Sequence, residues 1–204
     1  GGWVAATGLI TWAYAWGDSL VVSIFLGSEA LGLYRVGQQV ILLVFGTVLG
    51  SALPVVYSHL CAQQSVHDTQ NKVYLESIRI IKKYALVSVL LGLITLVCAP
   101  YIHAVLGEQW SAIGNFVSIL AIGAIFSWVI APVNEFYRAI TKPHYETVVQ
   151  LVTLPVFILG FLISIQHSFE AFLWTRVGLI VLVGVPVKYY LFHLAGRRLE
   201  LVAN

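Results

Sequence analysis

The chain lacks methionine altogether, has two cysteines, and carries charge at only 10% of its 204 positions. So little charge cannot give a soluble domain of this size a polar surface, whereas 59% hydrophobic residues and a mean hydropathy of +0.90 suit a bundle that faces lipid. The missing methionine excludes a whole translated reading frame, so the sequence is expected to be a fragment or a processed piece. No GxxxxGK, HExxH or GxSxG motif occurs, which leaves phosphate-loop, zinc-protease and serine-hydrolase chemistry without a foothold. Trp3 to Trp16 has no basic n-region and runs on into further apolar sequence, so this first segment reads as a spanning helix and not as a secretory signal.

Long charge-free spans are what the chain does have: Val36 to His67, Tyr84 to Gly107, Gln109 to Asn134 and Thr147 to Phe169. A helix crosses a hydrocarbon core of about 30 Å with roughly 20 apolar residues. Charge-free length, turn residues and interfacial aromatics predict an all-α polytopic membrane protein with six transmembrane helices, over Trp3–Leu26, Leu31–Tyr57, Ile80–Val97, Ala112–Ala131, Val148–Ile165 and Ala171–Tyr190. The connections at Gly27–Ala30, Pro100–Trp110 and Gln166–Glu170 hold no Lys or Arg. Lys72, Arg79, Lys82, Lys83, Arg138, Lys142, Lys188, Arg197 and Arg198 fall in the alternate connections and the tail, nine of the eleven basic residues. The positive-inside rule makes that side, and both ends of the chain, cytoplasmic.

Ser58 to Lys83 is too long and polar for a tight turn, and is expected to include a helix along the inner surface with Val73, Ile80 and Ile81 toward lipid and Lys72, Glu76 and Lys83 toward water. Its basic residues are read as topology anchors, not as a lipid-headgroup site. Cys61 and Cys98 fall on opposite faces of the bilayer in this topology, about 30 Å apart and out of disulfide reach. His59, Cys61 and His67 match no zinc spacing, so no metal and no other cofactor is expected.

Ionisable groups inside the bilayer carry the functional argument, because each costs roughly 2.5 to 3.5 kcal/mol at a helix centre. Asp18 lies nine residues before Gly27, about 13 Å below the outer surface. Thr7, Thr11, Tyr14 and Asp18 follow steps of four, three and four and form one polar lane, with Trp12, Trp16, Ser19 and Ser23 on the adjoining face. This helix is expected to line a cavity. Arg176 enters about 9 Å below the same surface, deep enough to pair with Asp18. Arg35, Gln38 and Gln39 share a face of the second helix and form a donor-rich patch. On the inner side, Asn134, Glu135, Tyr137 and Arg138 follow the bend expected at Pro132, where Arg138 is placed to meet an entering phosphate. Pro54, Pro132, Pro155 and Pro186 are expected to kink or hinge their helices.

The segment DSLVVSIFLGSEALGLYRVGQQVILLVFGTVLGSALPVVYS, Asp18 to Ser58, resembles the seventh and eighth helices of the polysaccharide flippase family, within the multidrug/oligosaccharidyl-lipid/polysaccharide exporter superfamily. An intramembrane aspartate precedes an LG-x-x-x-LG-x-Y turn at Leu26 to Tyr34, and a helix ending near a proline follows. GEQW at Gly107 to Trp110 in an outer loop and RAITKPHYE at Arg138 to Glu146 in an inner one fit the same pattern. The resemblance covers essentially all of residues 1–204, read as a single six-helix lobe, the C-terminal one of a two-lobe transporter. It implies movement of an undecaprenyl-diphosphate-linked sugar unit from the cytoplasmic to the outer leaflet by alternating access, in O-antigen, capsule or exopolysaccharide synthesis, without covalent catalysis. The partners it implies are the lipid-linked oligosaccharide, membrane lipid, an N-terminal lobe and polymerases, with no nucleic acid. Arg35, Arg176 and Arg138 are then expected to meet the diphosphate, Gln38 to contact substrate, Tyr14, Trp12 and Trp16 to offer surfaces to sugar with at least one of the two tryptophans anchoring in lipid, and Asp18 to bind a coupling cation. A cation-coupled drug exporter is the nearest alternative. A membrane enzyme acting on the same lipid-linked sugar is less favoured because the outer loops are short, with His103, Glu108, His167 and Glu170 scattered. A helical scaffold would leave Asp18 unexplained.

Overall fold

The computed structural model describes residues 2–66 and 70–203. It is a helical bundle, with no strand among those residues. Helix α1 (Gly2–Ile41) continues through a π-helical stretch, Leu42–Gly50, into α2 (Ser51–Val66). Next come α3 (Gln70–Cys98), the short α4 (Ile102–Leu106), α5 (Ile113–Val129), α6 (Pro132–Ala139), α7 (His144–Ser164) and α8 (Phe169–Leu179). A second π stretch, Ile180–Gly184, leads into α9 (Val185–Ala203).

Among the described residues, five helical stretches are long and apolar enough to cross a membrane: Gly8–Gln64, Lys72–Ala104, Ile113–Ala139, His144–Ser164 and Phe169–Arg197. The first, at 57 residues, would extend about 85 Å if straight, nearly three hydrocarbon thicknesses. It is not straight. Gly27 adopts φ +83° and ψ −175°, a conformation open to glycine and strained for any L side chain, and the chain doubles back there. Contacts between residues far apart along a straight helix prove the fold-back: Gln38 Nε2 donates to Asp18 Oδ2 at 3.1 Å, and the Arg35 guanidinium lies 4.2 Å from the Trp16 ring centre. The stretch therefore supplies two antiparallel arms, and the bundle has six.

Both π stretches precede a proline by a few residues, Pro54 and Pro186. Proline has no N–H for the carbonyl one turn back, and the helix accommodates the mismatch by widening locally. The bend expected at Pro132 is present as a break at Ile130–Ala131, with Pro132 opening α6 where a missing N–H costs nothing.

Packing separates into two main layers. At the basic end, Leu60, Val73, Tyr74, Phe136, Tyr137, Tyr145, Phe192 and Ala195 are buried together. At the opposite end, Val22, Tyr34, Phe161, Phe172 and Leu173 form the second cluster. Lipid is as apolar as these side chains, so close van der Waals fit holds the layers together, aided by small residues that let backbones approach. At Gly114 a Cβ would stand 2.6 Å from the Ala99 carbonyl oxygen, so only glycine permits this approach of α5 to the end of α3.

The inner-surface helix expected within Ser58–Lys83 does not form as a separate element. Instead α2 and α3 run on past the apolar region as an antiparallel pair, bridged by His59 Nε2 and Glu76 Oε1 at 3.5 Å. Val73 and Ile80, expected to face lipid, are buried against protein because α6 and α9 pack on that face of α3. His67 lies outside the described residues.

Candidate functional site: a basic cavity inside the bundle

Cavities open among the described helices. The first, about 880 Å³, is walled by both arms of α1 and by α5, α7, α8 and α9, and its polar lining is Thr11, Asp18, Arg35, Gln38, Gln39, Ser127, Gln150, Thr153, Arg176 and Lys188. The apolar remainder includes Leu120, Val149, Phe157, Phe161, Val177 and Ile180. Three basic side chains and one acid line an otherwise apolar chamber, a combination whose chemistry suits an anion with a hydrocarbon part.

Asp18 is the hub. It is 3% exposed, and both carboxylate oxygens are engaged. Oδ1 accepts from the Ser19 N–H at 2.6 Å and the Ser19 hydroxyl at 3.2 Å. Oδ2 accepts from the Tyr34 hydroxyl and Gln38, and Arg176 Nε stands 3.4 Å from it. Burying a carboxylate so deeply is tolerable only with this many donors. The Arg176 guanidinium also lies 5.7 Å from the Tyr34 ring centre, and Tyr34 is wedged edge-on against Phe169 and Phe172. The arrangement fixes a cation at the cavity wall.

Arg35 is held differently. It lies over the Trp16 ring without a carboxylate partner among the described residues, so its charge is oriented by an aromatic face and is not neutralised by an acid. The patch foreseen on the second arm, Arg35 with Gln38 and Gln39, lines the cavity as a unit.

Arg138 is not brought to this cavity. It lines the second, about 1080 Å³, with Tyr57, Glu135, Thr141 and Glu146. Its guanidinium bonds Glu135 Oε1 at 3.1 Å and Glu146 Oε2 at 3.2 Å, and Asn134 Nδ2 donates to Glu146 Oε1 at 2.9 Å. The acids that share its helix and the next one claim it, so it stands apart from Arg35 and Arg176. Thr11 lines both cavities, and its hydroxyl accepts from Gln150 Nε2 at 2.8 Å, so this α1–α7 contact stands at their shared wall.

Trp12 and Trp16 are 60% and 47% exposed, and neither lines a cavity. Thr11 occupies the inward direction and Trp12 lies about 100° around the helix from it, directed to the outside. Trp16 reaches the site only through Arg35. The side chains of Thr7 and Tyr14 lie outside the described ones.

Two site residues were not foreseen. The sequence places Tyr34 in a turn motif, yet its hydroxyl joins Asp18 from the facing arm. The charge pattern groups Lys188 with the tail, yet it lines the basic cavity from α9, within electrostatic reach of Glu146, Arg138 and Glu135. The signal for Lys188 is its spacing: Val177, Ile180, Gly184 and Lys188 follow steps of three, four and four, and all four face the cavity.

Residues 1–115, more than half of the chain, match the family model described as polysaccharide biosynthesis protein. That region holds both arms of α1, and with them Asp18, Tyr34, Arg35 and Gln38. No curated protein and no solved structure matches the chain.

Proposed function

Since the chain belongs to the polysaccharide biosynthesis protein family, we propose that it forms one lobe of a flippase that carries a diphosphate-linked oligosaccharide on a polyprenyl lipid across the cytoplasmic membrane. The observation that carries this reading is the cavity itself, where Arg35, Arg176 and Lys188 line one apolar chamber with a single acid. A diphosphate diester bears a negative charge on each phosphate, so it needs cations and donors in a low-dielectric site. Gln38, Gln39, Ser127, Gln150 and Thr153 supply donors and acceptors for hydroxyls, and the apolar wall suits the first part of a lipid chain.

Roles follow from the geometry. Arg35 and Lys188 meet the phosphates, and Arg176 contributes charge from a fixed position. Asp18 acts as the positioning residue for Arg176: a coupling cation would have to displace donors from both of its oxygens. A second lobe would close the open side, and alternating access moves the substrate with no covalent step. The basic end and both chain ends face the cytoplasm in this reading, following the positive-inside rule.

The test is the leaflet location of lipid-linked oligosaccharide in cells whose full-length gene carries Arg35→Ala or Lys188→Met. Accumulation on the cytoplasmic leaflet is the expected result. Unimpaired glycan export with both variants, or accumulation of unpolymerised units on the outer leaflet, would overturn the proposal.

A further inference from the structure

One exposed face of α3 changes character along its length. Leu86, Leu90, Leu93 and Val97 recur at steps of four, three and four and are all half or more exposed, a stripe with no protein cover. Continued toward the basic end, the same face carries Lys83, Lys82, Arg79 and Lys72, all exposed. Lys83 stands one turn beyond Leu86, about 4.5 Å along the axis. A lipid whose acyl chain lies on Leu86 and Leu90 therefore has its phosphate level with Lys82 and Lys83.

The four cations are not equivalent. Arg79 bonds Glu76 Oε2 at 3.0 Å. Lys72 is about 16 Å from Lys83 along the helix, beyond a headgroup layer of 5 to 8 Å and a full Debye length farther out. Lys82 and Lys83 have no carboxylate partner among the described residues and stand where the apolar stripe ends.

We infer that Lys82 and Lys83, with the Leu86–Leu90 stripe, form a docking site for an anionic phospholipid in the leaflet at the basic end. Charge complementarity selects the headgroup and the continuous stripe seats the chain. This goes beyond setting topology, which requires positive charge but no preference among headgroups. It is also separate from the basic cavity, since none of these residues lines it.

The experiment is lipid retention by the purified full chain. The protein is reconstituted in nanodiscs with equal amounts of phosphatidylglycerol and phosphatidylcholine of matched chains, released into mild detergent, and the lipids kept are counted by native mass spectrometry. Phosphatidylglycerol is expected to be kept in preference. Near a surface each lysine contributes about a fivefold bias, so Lys82→Gln/Lys83→Gln lowers the preference by about tenfold or more while Lys72→Gln leaves it within about twofold. Equal retention of the two lipids by the unaltered protein overturns the inference. So does a double variant that keeps the preference, or a Lys72→Gln loss as large as that of the pair. Displacement of the lipid by millimolar inorganic phosphate would also overturn it, because a bare anion site needs no acyl chain. Circular dichroism confirms that each variant is folded before lipids are counted.

Discussion

Arg176 and Asp18 meet at the cavity wall, Nε to Oδ2 at 3.4 Å, the first on α8 and the second on the opening arm of α1. Their meeting ties the two ends of the chain together. A buried acid with so many donors has a structural consequence that can be separated from any role in transport.

Replacing Asp18 with Ala removes the acceptor shared by Tyr34, Gln38 and Arg176 and takes this counter-charge from a half-buried guanidinium. The expected loss is on the order of 3 kcal/mol, the usual cost of breaking one side of a buried pair. Asp18→Ala/Arg176→Gln is expected to recover at least half of that, because the stranded charge goes with its partner. Thermal unfolding of the purified protein in detergent measures both. A double variant as unstable as Asp18→Ala alone would show that the pair is not the reason for the acid.

Thr141 carries a different kind of strain. It sits at φ +58° after α6, where its N–H bonds the Arg138 carbonyl at 3.1 Å and the Lys142 N–H reaches the Tyr137 carbonyl at 2.9 Å. This helix-ending geometry is usually served by glycine, and a β-branched residue there costs about 1 to 2 kcal/mol. Thr141→Gly is expected to stabilise the protein by about 1 kcal/mol, since the only hydrogen bond its hydroxyl makes among the described residues is to the adjacent Ile140 carbonyl. A lower melting temperature for this variant would refute the strain.

Much of this architecture is legible in the residues. Charge-free length and the glycine after Leu26 predict the antiparallel pair of arms, and depth counting brings Asp18 and Arg176 within reach before any coordinates. The misreadings have a common physical origin. A helical stripe of Val73 and Ile80 is equally apolar whether lipid or another helix covers it, so pattern alone cannot name the cover. Counting basic residues by side of the membrane assigns Lys188 to the tail, because the count ignores the direction its helix face presents. Tyr34 reads as the end of a glycine-rich turn until the facing carboxylate is placed opposite it.

At the second cavity, Arg138 separates two buried acids on α6 and α7. Arg138→Gln leaves Glu135 and Glu146 facing each other without the guanidinium that bonds both, and with Lys188 as the nearby cation, an expected loss of about 3 kcal/mol together with reduced folded yield. Arg138→Lys is not a conservative change, since one ammonium cannot reproduce the fork that bonds both acids. Combining Arg138→Gln with Glu146→Gln is expected to restore part of the stability. Yield and melting temperature in detergent report the result, and an Arg138→Gln protein as stable as the original would mean that the acids are satisfied by other means.

Lys188 gives the opposite balance between stability and function. It lies in the apolar span Phe169–Arg197 and has no ion pair among the described residues, so the chain bears a desolvation cost for its charge. Met has nearly the same length and no charge. Lys188→Met is therefore expected to melt at the same or a higher temperature while slowing export of the lipid-linked unit by tenfold or more, the equivalent of one lost charge-assisted hydrogen bond to phosphate. Lys188→Arg keeps the charge and should retain most of the activity. A merely structural lysine would move stability and export together. Export at the original rate in a stable Lys188→Met protein would remove Lys188 from the phosphate site and leave Arg35 and Arg176 to hold the substrate.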